Sequence, residues 1–136
     1  YMNNKASILI VDDEEVVRYS HQRSLADTGC YTEAAEDGLN AIRVMEQRPF
    51  DVVLLDLRMP GLDGMDVLKT IKERWPDCEV VVITGYATIE TAKEAVRLGA
   101  HNYIAKPVGP DEVIKAASEA MTQKRWAMRS EQRITH

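Results

Sequence analysis

The chain has 136 residues, 45% of them apolar and 29% charged, with 22 acidic against 17 basic side chains and a formal net charge of -5. That length suits one globular domain with a buried core and leaves no room for a second, and an acidic balance without a basic run argues against a surface that tracks nucleic-acid phosphates. No apolar stretch approaches the roughly 20 residues of a membrane helix and the start of the chain lacks a secretion signal, so no membrane contact and a cytoplasmic location are expected.

Strand-like and helix-like segments alternate with short turns, which predicts βαβ units and a parallel sheet. Residues 1–6 read as a tail, with Tyr1 ahead of Met2 as a remnant. The first strand is expected at Ser7 to Val11 and runs straight into Asp12-Asp13. The first helix should follow Asp13 and continue to about Thr28, where Gly29 stops it. A strand at Tyr31 to Ala35 leads to a helix at Gly38 to Arg48, with Ala41, Ile42 and Met45 on one face. The third strand, Val52 to Asp56, ends in a carboxylate, and Val67, Leu68, Ile71 and Trp75 mark the next helix between Gly64 and Pro76.

A fourth strand at Glu79 to Ile83 opens into Thr84-Gly85. In the helix that follows, Ile89, Ala92 and Val96 are expected as the buried stripe, with Glu90, Lys93, Glu94 and Arg97 in water and Gly99 as terminator. The fifth strand, Asn102 to Ala105, ends in Lys106-Pro107. The fifth helix starts near Pro110 and presents Val113, Ile114, Ala117, Ala120 and Met121 to the core. No proline or glycine interrupts residues 122–132, so the helix can run on with Trp126 and Met128 free for a partner, or end there in a frayed charged tail.

In open α/β sheets ligands gather beyond the carboxyl ends of the strands, where this order places Asp12, Asp13, Asp56, Thr84 and Lys106 together. Three neighbouring carboxylates repel unless a cation sits among them, and hard oxygen ligands favour magnesium. Lys106 and Thr84 add a point charge and a hydroxyl donor suited to an anion with several oxygens. Phosphoryl transfer to Asp56 fits these parts. Taken singly, Asp12 and Asp13 also read as helix caps, Thr84 as a strand end and Lys106 as a surface lysine; their convergence favours a site. His21, His101 and His136 have no metal-ligand company and are expected to be solvated, and Cys30 and Cys78 are expected as small semi-apolar residues outside any site.

Four motifs, ILIVDDEE, VVLLDLRMPGLDG, VVVITGYA and YIAKPV, in this order and spacing, make the chain resemble the receiver domain of bacterial two-component response regulators from about Ser7 to Met121. The resemblance implies a flavodoxin-like, doubly wound five-stranded parallel sheet of order 2-1-3-4-5 with an extended C-terminal helix. It implies Asp56 as phosphoacceptor, with magnesium held by Asp13, Asp56 and the backbone carbonyl of Arg58 and supported by Asp12 through water. Lys106 would pair with the phosphate, its bond to Pro107 would be cis, and Thr84 and Tyr103 would switch together. Arg58 and Tyr86, two positions beyond the acceptor and the hydroxyl, would set the lifetime of the phosphoryl group.

The stretch from Met59 to Pro107 is most similar to receivers of NtrC-type activators, which work with the alternative sigma factor. That implies a sensor histidine kinase as phosphodonor and, in a longer parent protein, an output part combining an ATPase with DNA binding. Residues 7–121 would form the receiver and residues 122–136 a helical linker. Dimers would form through the linker or through the face of the fourth helix, fifth strand and fifth helix. Such a domain is no enzyme beyond catalysing its own phosphorylation and dephosphorylation. Two rivals remain at this point. A haloacid-dehalogenase-like phosphatase needs an acid two residues after its aspartate, where Arg58 stands here, and a phosphorylation-independent module would need neither the acidic cluster nor Lys106.

Overall fold

The computed structural model describes residues 6–135, with side chains through Lys124. The elements are β1 (Ser7–Val11), α1 (Glu15–Ala26), β2 (Tyr31–Ala35), α2 (Gly38–Gln47), β3 (Val52–Leu55), α3 (Gly64–Arg74), β4 (Glu79–Thr84), α4 (Ile89–Arg97), β5 (Asn102–Ala105) and α5 (Pro110–Thr135). All strands are parallel in the order β2-β1-β3-β4-β5, so the order reverses between β1 and β3. This is the flavodoxin-like arrangement expected from the motifs.

The alternation of side chains along each strand divides the core. Leu9, Val11, Val53, Leu55, Val80 and Val82 meet Ala41 and Met45 of α2, Val67, Leu68 and Ile71 of α3, and Ala95 of α4. Their neighbours Ile8, Ile10, Val52, Leu54, Val81 and Ile83 meet Leu25 of α1 and Val113, Ala116, Ala117 and Ala120 of α5 on the opposite face. The three central strands are therefore buried on both sides and read as continuous apolar runs. Each fully buried Val, Leu or Ile contributes roughly 1.5–3 kcal/mol, which fixes strand register.

The site hangs from this frame. β3 stops at Leu55, one residue short of the expected end, but the Asp56 N–H still donates to the Val11 carbonyl at 3.0 Å. Beyond it the loop folds tightly onto α3. Gly64 N–H donates to the Leu57 carbonyl, and any Cβ on Gly64 would collide with the Leu57 backbone. Asp63 caps the helix by accepting from Met65 N–H.

Two expectations need correction. In α4, Ile89 and Val96 are 72% and 63% exposed, and the buried residue is Ala95. Ile89 and Val96 lie two turns apart on one outer stripe, while the inner side carries Thr91, Ala92 and Ala95, whose small size lets the helix lie close to the sheet edge. His21 is only 5% exposed rather than solvated. It lies one turn before Leu25 on the side of α1 that packs toward α5, so the turn geometry carries the imidazole inward with Leu25.

α5 continues unbroken to Thr135, well past its core-facing stripe. Lys124 Nζ reaches Asp51 Oδ1 at 2.8 Å, and the other Asp51 oxygen accepts from the N–H and hydroxyl of Ser7. Burial alone would raise the Asp51 pKa, but these bonds outweigh it and hold the carboxyl below its ordinary value. The side chains of Trp126 and Met128 lie outside the described residues.

Candidate functional site

β1, β3, β4 and β5 deliver Asp12, Asp56, Thr84 and Lys106 to one edge. Asp12 is 2% exposed, Asp56 5%, and Thr84 is fully buried. Lys106 joins them: its Nζ lies 2.7 Å from Asp12 Oδ2 and 3.2 Å from Asp56 Oδ2, with Glu14 Oε1 further off at 4.0 Å. Burial opposes the charge on Lys106, yet the hydrogen bond to Asp12 and the fields of Asp12 and Asp56 prevail, so its pKa stands above the ordinary lysine value.

The remaining carboxylate oxygens are also placed. Asp12 Oδ1 accepts from Glu14 N–H at 2.9 Å, and Asp56 Oδ1 accepts from Arg58 N–H at 3.1 Å. Asp12 is thus no ordinary cap, because the N-cap position of α1 is Glu14, which makes no side-chain cap bond, and Asp12 divides its oxygens between backbone and ammonium. Asp13 is exposed on the rim. Asp12, Asp13 and Asp56 each offer an oxygen, all within 4.8 Å of one another. A set of hard carboxylate oxygens at that spacing fits an oxygen-seeking divalent cation.

The hydroxyl of Thr84 accepts from Tyr86 N–H at 3.2 Å, and the Thr84 carbonyl accepts from Lys106 N–H at 2.9 Å. The Lys106–Pro107 peptide is cis. Arg58 and Tyr86 stand at the mouth, the guanidinium 3.5 Å from the centre of the ring. Tyr103 is half-buried and does not bond Thr84; its hydroxyl pairs with Thr91 Oγ1 on α4. Thr91 in turn forms a capping box with Thr88 at the start of the helix. The Thr88-x-x-Thr91 spacing was the available signal for that partner.

His21 was missed as a neighbour of the site. Its Nδ1 is buried without a hydrogen-bond partner among the described residues, and it lines a cleft of about 450 Å³ with Ser20, Lys106, Pro107 and Val108. Burial lowers the His21 pKa more than Asp12 raises it, and Lys106 lowers it further.

The sequence profile of the response regulator receiver domain matches residues 8–118. An NtrX-like response regulator of Rickettsia felis is 36% identical over 127 residues, covering 90% of this chain and 27% of that protein. The DNA-binding transcriptional regulator NtrC of Escherichia coli is 33% identical over 115 residues, 85% of this chain and 24% of that protein. The crystal structure of NtrX from Brucella abortus superposes with a TM-score of 0.89 at 35% identity, covering 94% of this chain and 29% of that one. The chain therefore spans about a quarter of the length of these relatives.

Proposed function

The chain belongs to the response regulator receiver domain family, and from that premise we propose that it is a switch set by transfer of a phosphoryl group to Asp56. The observation that carries this reading is Lys106 bridging two buried carboxylates at the strand ends, with a third on the rim. A carboxylate oxygen of Asp56 attacks phosphorus, and the donor's bond to the phosphoryl group breaks with its electron pair leaving on the donor. Lys106 pairs with the arriving oxygens, and the Thr84 hydroxyl is within the same edge to donate to one of them. Asp12, Asp13, Asp56 and the Arg58 carbonyl would hold magnesium, whose charge offsets that of the phosphoryl oxygens. As an enzyme the domain acts only on its own phosphorylation and dephosphorylation.

The donor is a sensor histidine kinase, and residues 7–121 act as receiver for a longer cytoplasmic regulator whose transcriptional output part follows the linker at 122–136. The added charge draws Thr84 toward the phosphoryl group and lets Tyr103 leave Thr91, which alters the α4-β5-α5 face. That face, with exposed Ile89 and Val96, and the extended α5 are the surfaces for an output partner or a second copy.

Intact-mass measurement after incubation with magnesium and acetyl phosphate tests the reading. One acid-stable, base-labile phosphate is expected on the parent and none on Asp56→Asn. Equal labelling of the variant would place the acceptor elsewhere.

A further inference from the structure

The turn that carries Asp12 and Asp13 is fixed almost entirely through Asp12. Its N–H donates to the Ala35 carbonyl at the end of β2, and its carboxylate oxygens take the Glu14 N–H and the Lys106 ammonium. Its backbone carbonyl accepts from Arg18 Nη1 at 2.9 Å. No other donor among the described residues reaches that carbonyl, and Asp12 is nearly enclosed, so the guanidinium satisfies a backbone acceptor that water hardly reaches. Arg18 stands in the first turn of α1, half-buried, lining a cleft with Ala34 and Ala35 of β2. It forms no ion pair with a carboxylate among the described residues, so its undivided charge strengthens that one bond.

Asp13 differs from Asp12. It is exposed and makes no side-chain hydrogen bond or ion pair among the described residues, yet one of its oxygens lies within 4.8 Å of oxygens of Asp12 and Asp56. Its carboxylate is therefore aimed by its backbone, and the peptide that joins it to Asp12 is the one whose oxygen Arg18 holds. We propose that Arg18 is a positioning residue for the metal site: by holding the Asp12 carbonyl it fixes the plane of the Asp12–Asp13 peptide and keeps the Asp13 carboxylate beside Asp12 and Asp56. The inference rests on the magnesium site proposed above and adds what orders it. Two effects of Arg18 oppose each other. Its positive charge repels a divalent cation, so the field alone makes removal of Arg18 tighten magnesium binding. Its bond orders a ligand, so positioning makes removal weaken binding, and groups that orient metal ligands from behind typically account for about 10–100-fold in affinity. Solvent and salt screen the field at the exposed rim, whereas the orienting bond falls on enclosed backbone, so positioning prevails.

The test compares the parent with Arg18→Met, which keeps the stem without a donor, and Arg18→Lys, which restores one. Magnesium affinity is measured by calorimetry on the whole folded chain, and phosphate uptake from acetyl phosphate is followed as magnesium is raised. Arg18→Met is expected to bind magnesium about 10-fold more weakly and to regain the parent's maximal uptake rate once magnesium saturates; Arg18→Lys is expected to recover most of the affinity. Unchanged or tighter binding by Arg18→Met, an Arg18→Lys affinity that follows Arg18→Met, or an uptake rate that stays low at saturating magnesium would overturn the positioning role. Arg18→Gln, whose amide is two bonds shorter, gives the same comparison with Arg18→Lys should Arg18→Met not fold. A parent that binds no magnesium would overturn the metal site and the role of Arg18 with it. The expected order of affinities without phosphate uptake in any protein would support that role and overturn Asp56 as acceptor.

Discussion

Replacing Lys106 by methionine keeps an unbranched apolar stem of nearly the same length and removes the ammonium that two buried carboxylates share. Lys106 Nζ stands 2.7 Å from Asp12 and 3.2 Å from Asp56, and its side chain is 18% exposed, so solvent screens it little. At an effective dielectric of about 20, unit charges at those separations attract by roughly 5–6 kcal/mol per pair before desolvation is counted. Burial removes most of that gain, and deleting one partner of a buried pair typically leaves a loss of about 3–5 kcal/mol, because the other charge stays buried and uncompensated. Two such charges remain here, so Lys106→Met should fall in that range in urea denaturation with chelator present. Magnesium should then stabilise the variant more than the parent, since Asp12, Asp13 and Asp56 have lost their internal cation; occupancy at about 100 times the dissociation constant contributes roughly 2.7 kcal/mol. A chelated loss under about 1 kcal/mol, or equal magnesium effects on both proteins, would refute the electrostatic account.

Asp13→Ala should weaken magnesium binding in calorimetry yet raise the metal-free melting temperature above the parent's, because one of three clustered carboxylates is gone. For His21, burial holds the folded-state pKa below the ordinary 6.5, so its stabilising effect is present above 6.5 and lost as pH falls through the lowered value. Parent stability should therefore drop by up to about 1.4 kcal/mol per pH unit below 6.5 from this group, and His21→Leu should remove that slope in denaturant titrations. Gly64→Ala drives a Cβ into the Leu57 backbone, and a loss of about 1–3 kcal/mol together with slower phosphate uptake is expected, since the displaced loop carries Asp56 and Arg58.

Much of the fold was legible because the three central strands are apolar throughout and each ends in a residue with chemistry to offer. Ile8 to Val11, Val52 to Leu55 and Val80 to Ile83 announce a sheet buried on both faces, and Asp12, Asp56 and Thr84 follow directly. Lys106 was legible by the same rule at an edge strand. The rotation of α4 was not. In a nine-residue helix whose inner side holds a buried alanine beside partly buried alanine and threonine, the largest apolar residues, Ile89 and Val96, pull the expected stripe to the wrong side. His21 was hidden for a related reason: the apolar start of α1 lies outward, with Val16 and Tyr19 exposed, and only packing against α5 decides that the imidazole turns in. The partners of Tyr103 and Tyr86 come from other elements, which no periodicity within one helix or strand encodes.

Amide hydrogen exchange with and without beryllofluoride, a stand-in for the phosphoryl group on Asp56, tests the switch most directly. The account predicts that exchange changes at the start of α4, where Thr88 and Thr91 cap the helix and hold Tyr103, and along β5 and the adjoining side of α5. Exchange that changed only around α2, or nowhere beyond the loops that bear Asp56 and Thr84, would contradict it.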